Sequence, residues 1–211
     1  MTFTDIAPTE TSRCDEDGRP HVRVYEAKLM HQFDHRFATY WDGSILSDEC
    51  RDLRPSDRAP DVLVVPRSWG SEQELGRRLS NLGWDRRYLL GYRDVARASD
   101  ERTAIAAILP RVITDNTIRL LVTTDEPAVR CCLLNAIFNS FAFDFAARNV
   151  VPSTHFSEYL AKQLPVPLPE VFGRGCRWLR GSHALKDWVL QRVLELTFTA
   201  WDLEAFAQDC G

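Results

Sequence analysis

The stretch EPAVRCCLLNAIFNSFAFDFAARN, residues 126–149, constrains the fold more than any other part of this chain. Its length and composition suit a helix, and Pro127 falls near the first turn, where a missing N–H costs little. Apolar residues cover most of the helical circumference, so the spacing predicts a long helix over 127–148 sunk in the core. The segments before it alternate instead. In RRYLLGYRDVARA (86–98), Tyr88, Leu90 and Tyr92 point one way, while Leu89, Arg93 and Val95 point mostly the other. That is strand periodicity. TAIAAILP (103–110) and TIRLLVT (117–123) follow as strands separated by turn residues, and VLVVP (62–66) reads as a short buried strand closed by proline. In SEQELGRRLSNLGW (71–84), Ser71 and Glu74 form a capping-box pattern ahead of Leu75, Leu79 and Leu82 at helical spacing. Residues 151–172 give a polar turn, an aromatic segment and a proline-rich extended exit. Residues 183–208 give a C-terminal helix and a last apolar stretch. The expected architecture is mixed α/β: a twisted, largely antiparallel sheet, the long helix packed against it, and a C-terminal helix.

A chain of 211 residues can bury a full core. Residues 1–20 are polar and read as a flexible tail, leaving 21–211 as a single domain with a long loop at 41–61 that carries Pro55 and Pro60. The chain has no run of 18 apolar residues to span a membrane, and its first residues lack the basic and apolar regions of a signal peptide. Its six cysteines form no C-x-x-C pair, which suits reduced thiols in a cytoplasmic protein. Cys131 and Cys132 sit within the apolar helix and read as packing residues. The formal net charge of −4 weighs mildly against a nucleic-acid binder. Arginine far outnumbers lysine, which suits phosphate and guanine recognition and equally suits a GC-rich genome.

His31 and His35 stand four apart in YEAKLMHQFDHRFATY (25–40), the spacing of a zinc-hydrolase helix. The residue after the first histidine is Gln32, which cannot serve as general base. In an extended segment the two imidazoles would stand about 13 Å apart, too far to share an ion. A zinc hydrolase using His31 and His35 therefore remains the weakest reading. The sequence also lacks a P-loop, a G-x-G-x-x-G turn and a G-x-S-x-G elbow. By elimination, binding is favoured over catalysis, with no catalytic or metal-ligating residue assigned.

The same stretch resembles the segment that opens the C-terminal region of large bacterial adenine-N6 DNA methyltransferases, those of restriction–modification systems and of BREX- and DISARM-type phage defence. The resemblance continues through GWDRRYLLGYRDVARASDERTAIAAILPR (83–111), NSFAFDFAARNVVPSTHFSEYLAKQLPVP (139–167) and ELTFTAWDL (195–203), in the same order. It implies a target-recognition domain that reads double-stranded DNA. It departs from the family in lacking the Gly-rich S-adenosylmethionine loop and the N-P-P-[YF] motif; LPVPLPE does not supply the latter. The resemblance therefore implies no cofactor in this chain, S-adenosylmethionine on a separate methyltransferase polypeptide, and a C-terminus that stops early. The residues it offers for DNA contact are Lys28, His31, Gln32 and Arg36 in the opening stretch, then Arg93, Arg97, Ser99, Arg102 and Thr103 around the strand–turn, and Thr154, His155 and Lys162 before the proline exit. Against this stand two further expectations. Arg93–Asp94 and Glu101–Arg102 could neutralise each other as turn-locking pairs, and the chain could be an interaction module or a vestigial fragment that binds no DNA.

Overall fold

The computed structural model describes residues 12–41, 46–123, 125–152, 154–178 and 183–211. The chain is mixed α/β, as its patterning predicts. Among the described residues, nine strands fall into three small sheets rather than one: β1 (Ser12–Cys14), β2 (Pro20–Tyr25), β5 (Ser68–Ser71) and β8 (Ile113–Thr114); β3 (Ala38–Trp41) with β4 (Leu46–Asp52); and β6 (Tyr88–Arg93), β7 (Ala106–Pro110) and β9 (Ile118–Leu121). Pairing is antiparallel throughout except between β2 and β8. β6 is central in its sheet, flanked by β7 and β9, and its residues are buried on both faces. Strand β1 lies within the expected polar tail, where it pairs with β2; residues 1–11 lie outside the described residues. Strand β4 occupies part of the expected long loop, whose residues 42–45 lie outside the description.

In the expected strand 62–66, residues 63–66 are buried but the segment makes no ladder. The Tyr40 N–H donates to the Val65 carbonyl at 3.0 Å, and the Val65 N–H donates to Thr39 Oγ1 at 3.1 Å. A side-chain hydroxyl has taken the place of a strand partner, and Pro66 has no N–H to extend the pairing.

Helix α1 (Glu72–Asn81) forms where the capping pattern places it, with Ser71 Oγ accepting from the Glu74 N–H. The Glu74 carboxylate turns away from the cap and takes Arg77 and Arg78, both at 2.7–2.8 Å.

The long helix is two helices, α2 (Pro127–Phe138) and α3 (Phe141–Val150), bent by 65°. Asn139 makes the break. Its amide accepts from the Ala106 N–H at 3.0 Å and donates to the Ala106 carbonyl at 2.8 Å, imitating a neighbouring strand for β7. Ser140 then caps α3 by accepting from the Phe143 N–H. The rotation buries Phe138, Phe143 and Ala147 but turns Phe141 and Phe145 outward, so α3 is not sunk in the core on all sides.

Short helices α4 (Glu158–Ala161) and α5 (Pro169–Phe172) follow, then α6 (Leu185–Thr197). A single 3-10 turn (Trp201–Leu203) leads into α7 (Glu204–Cys210), so the C-terminal segment is two helices about a sharp connection. Tyr25, Leu29, Tyr40, Leu89, Ile108, Cys131, Phe156 and Phe206 belong to one continuous core. Among the described residues, no single helix is long and apolar enough to cross a membrane.

Candidate functional site

The opening stretch 25–40 folds inward. A short 3-10 turn (Ala27–Leu29) leaves Lys28 half exposed, paired with Glu26 at 3.2 Å and 4.8 Å above the Tyr40 ring. His31 stacks on Phe37 with centroids 4.7 Å apart. Burial, then the charge of Arg93, lowers its pKa and favours the neutral imidazole. Phe33 holds φ +60°, a strained value for a bulky residue, and its N–H is anchored on the Ala106 carbonyl at 3.1 Å. The backbone thus reverses between His31 and Asp34.

That turn separates the two histidines. His35 is fully buried, with Nε2 at 2.9 Å from Asp202, while His31 faces Phe37. No group of three or more His, Cys, Asp or Glu side chains able to hold a metal exists among the described residues. Asp202, whose side chain is 3% exposed, also accepts from Arg23 at 2.9 Å. Burial alone would raise its pKa; the charge and hydrogen bond of His35, then those of Arg23, outweigh this and hold the carboxyl well below the usual range.

Arg36 is 1% exposed. It donates to the carbonyls of Ala59, Val62 and Thr199 at 2.8, 2.6 and 2.6 Å. It ties three distant segments together and cannot reach a duplex from there, which corrects its assignment as a DNA contact. Arg93 likewise turns inward, donating to the Met30 carbonyl and lying over Phe37 at 6.0 Å. Gln32 faces Asn139 and Arg102: its Nε2 lies 3.3 Å from the Asn139 carbonyl, and with the amide turned its oxygen accepts from Arg102 at 3.1 and 2.8 Å.

Among the described residues, neither Arg93 with Asp94 nor Glu101 with Arg102 forms a side-chain pair. Arg102 pairs with Asp144 at 3.5 Å, donates to the Asn139 carbonyl at 2.7 Å and lies 4.8 Å from the Phe141 ring. Asp144 accepts the N–H groups of Thr103 and Ala104 at 2.7 and 2.9 Å and Arg148 Nε at 2.9 Å. Burial would raise the Asp144 pKa, but the Ala104 N–H and Arg148 lead the bonds that pull it below the ordinary value. Thr103 is fully buried, its hydroxyl donating to the Arg97 carbonyl at 3.0 Å, so burial removes it from the contact set as well.

Between these anchors the loop 97–101 stands out from the surface. Arg148 holds the carbonyls of Ala98 and Glu101 from behind, and the Arg97 N–H donates to Asp100 at 2.9 Å. The side chains of Arg97 and Ser99 are exposed and have no partner among the described residues. Because β6 ends at Arg93, Arg93 and Arg97 do not share a strand face.

Thr154 is exposed and offers its carbonyl to the Ala96 N–H. His155 is exposed, with Nδ1 at 2.9 Å from Asp94. Arg119 Nε pairs with the other oxygen of Asp94 at 3.2 Å. Lys162 is exposed and paired with Glu158 one helical turn back. The candidate contacts therefore separate into an inward group, the half-exposed Lys28, and an outer rim of Arg97, Ser99, Thr154, His155 and Lys162.

Sequence reasoning missed the two outward phenylalanines beside this rim. Phe141 is 86% and Phe145 71% exposed. Their i, i+4 spacing opposite Phe143 and Ala147 was the available signal, obscured by reading 126–149 as one helix. The chain matches no family model, no curated protein and no solved structure.

Proposed function

We propose that this chain is the DNA-recognition module of an adenine-N6 methylation system of the restriction–modification or phage-defence kind. In this reading it acts in the cytoplasm beside a separate methyltransferase polypeptide, which carries S-adenosylmethionine and the chemistry. The observation that carries it is the loop 97–101: Arg97 and Ser99 present unpaired donors on a backbone braced by Arg148 and Asp144. A braced donor loses little freedom on meeting a phosphate or a base edge. The order of the resembling segments adds support, since hydrogen bonds join them: Arg93 to Met30, Arg102 to Asn139, and His35 to Asp202.

The experiment is selection of duplexes from a randomised pool by the purified chain, followed by sequencing. Enrichment of a defined site supports recognition. An unenriched pool at low salt argues for the second reading, a protein-interaction module. That alternative has its own observation: the outer face of α3, with Phe141 and Phe145, borders a groove of about 530 Å³ lined by Ile137, Ala142, Ala146, Pro165, Val166 and Phe172.

A further inference from the structure

A second cavity, of about 600 Å³, opens between β9 and α4. Its apolar lining includes Leu121 and Phe138, which stand on the sheet face of Tyr92, while Ile118 and Leu120 border it from the other face of β9. Arg119, Glu158 and Lys162 stand at its polar side, and Tyr92 reaches it from β6. Tyr92 is 1% exposed, and its ring is fixed against Phe138 and Phe156 at 5.2 and 5.4 Å. Its hydroxyl is buried without a hydrogen-bond partner among the described residues. A buried donor left unpaired destabilises a fold, and each such group calls for an explanation. Burial, then the charge of Asp94, pushes the phenol up to about 12, so it is a neutral donor at pH 7. Arg119 lies directly opposite Tyr92 on the β6–β9 ladder, so the two side chains share a sheet face, and Glu158 lines the same cavity. Arg119 gives Nε to Asp94, and its terminal amines have no partner among the described residues. Glu158 is the lining's carboxylate, and Lys162 is paired with it.

We propose that this cleft binds an amphipathic anion: a flat apolar body against Leu121 and Phe138, which share the sheet face of Tyr92 and Arg119, with a carboxylate or phosphate head that accepts from the Tyr92 hydroxyl and the Arg119 guanidinium. Its size and its few convergent donors on an apolar wall match ligand pockets generally. The site does not depend on the recognition loop. The same chemistry belongs to a nucleotide unit of a strand and to a free aromatic acid.

The probe is phenyl phosphate, titrated calorimetrically against the whole chain, with inorganic phosphate as the head alone. Phenyl phosphate should saturate, and inorganic phosphate should bind roughly tenfold more weakly because it forgoes the apolar wall. Tyr92→Phe keeps the ring and its packing. It should weaken phenyl phosphate about tenfold without lowering the melting temperature. Failure of phenyl phosphate to saturate overturns the site. So does a Tyr92→Phe protein that melts higher yet binds the probe as the parent does, because the hydroxyl is then only a packing defect. A short thymidine oligonucleotide that displaces phenyl phosphate supports the cleft with a strand as the source; failure to displace a saturating probe supports it with a free acid.

Discussion

Arg36 and Arg97 belong to the same class of residue in the sequence, each an arginine in a motif that resembles a DNA-recognition region, yet the fold uses them in opposite ways. Arg36 spends its donors on three backbone carbonyls and lies inside a frame that also holds Arg23, His35 and Asp202. Arg97 uses its own backbone to shape a loop and leaves its guanidinium to solvent. The frame and the loop differ in what water does to them. A buried charge that loses its partner is stranded, whereas an exposed one is rehydrated. Substitutions should therefore separate the two regions cleanly: stability without binding in the frame, binding without stability in the loop.

The largest effect is expected at Asp202. Asp202→Asn leaves buried Arg23 without a counterion and should cost about 3–5 kcal/mol, read from denaturant unfolding. The same residue sets an acid limit. Its pKa is held below the unfolded value, so its contribution is present above the unfolded carboxylate value, about 3.9, and is lost as pH falls through the folded value. The parent should weaken in acid below about pH 4, and Asp202→Asn should flatten that part of the profile. An unchanged melting temperature in the variant at neutral pH would mean that the frame does not hold the fold.

Next is Asn139→Ala, which removes both bonds to Ala106 and should cost about 1–3 kcal/mol. Hydrogen exchange at Ala106 should rise with it; protection equal to the parent's would show that the amide is not acting as a strand substitute. The smallest change in stability is expected at the loop. Arg97→Ala should stay within about 0.5 kcal/mol of the parent, while duplex affinity falls about tenfold at matched salt. Equal affinity would remove Arg97 from the contact surface.

How much of this was legible follows from the range of each interaction. Helix α1 was readable because Ser71, Leu75 and Leu79 lie within three turns of one another. Strands β6, β7 and β9 were readable because short apolar or alternating runs bounded by turn residues are local signals, and only their ends shortened. The break at Asn139 was not, because its cause is Ala106, 33 positions away. The inward fate of Arg36 depends on Ala59, Val62 and Thr199, and that of His35 on Asp202, 167 positions along the chain. Residue type announced that these groups wanted polar partners; it could not say whether the partner was a phosphate or a carbonyl. The alternation around Tyr92 reads as a strand, but that its hydroxyl has no partner among the described residues is visible only once β9 and α4 close around it.

The most direct measurement is the affinity of the whole chain for a fluorescent DNA duplex across a salt series, read by anisotropy. If the loop and its rim meet phosphates, the logarithm of the affinity falls linearly with the logarithm of salt concentration, and Arg97→Ala lowers the slope by about 1. No binding at low salt, or a flat salt dependence shared by the variant, contradicts the account.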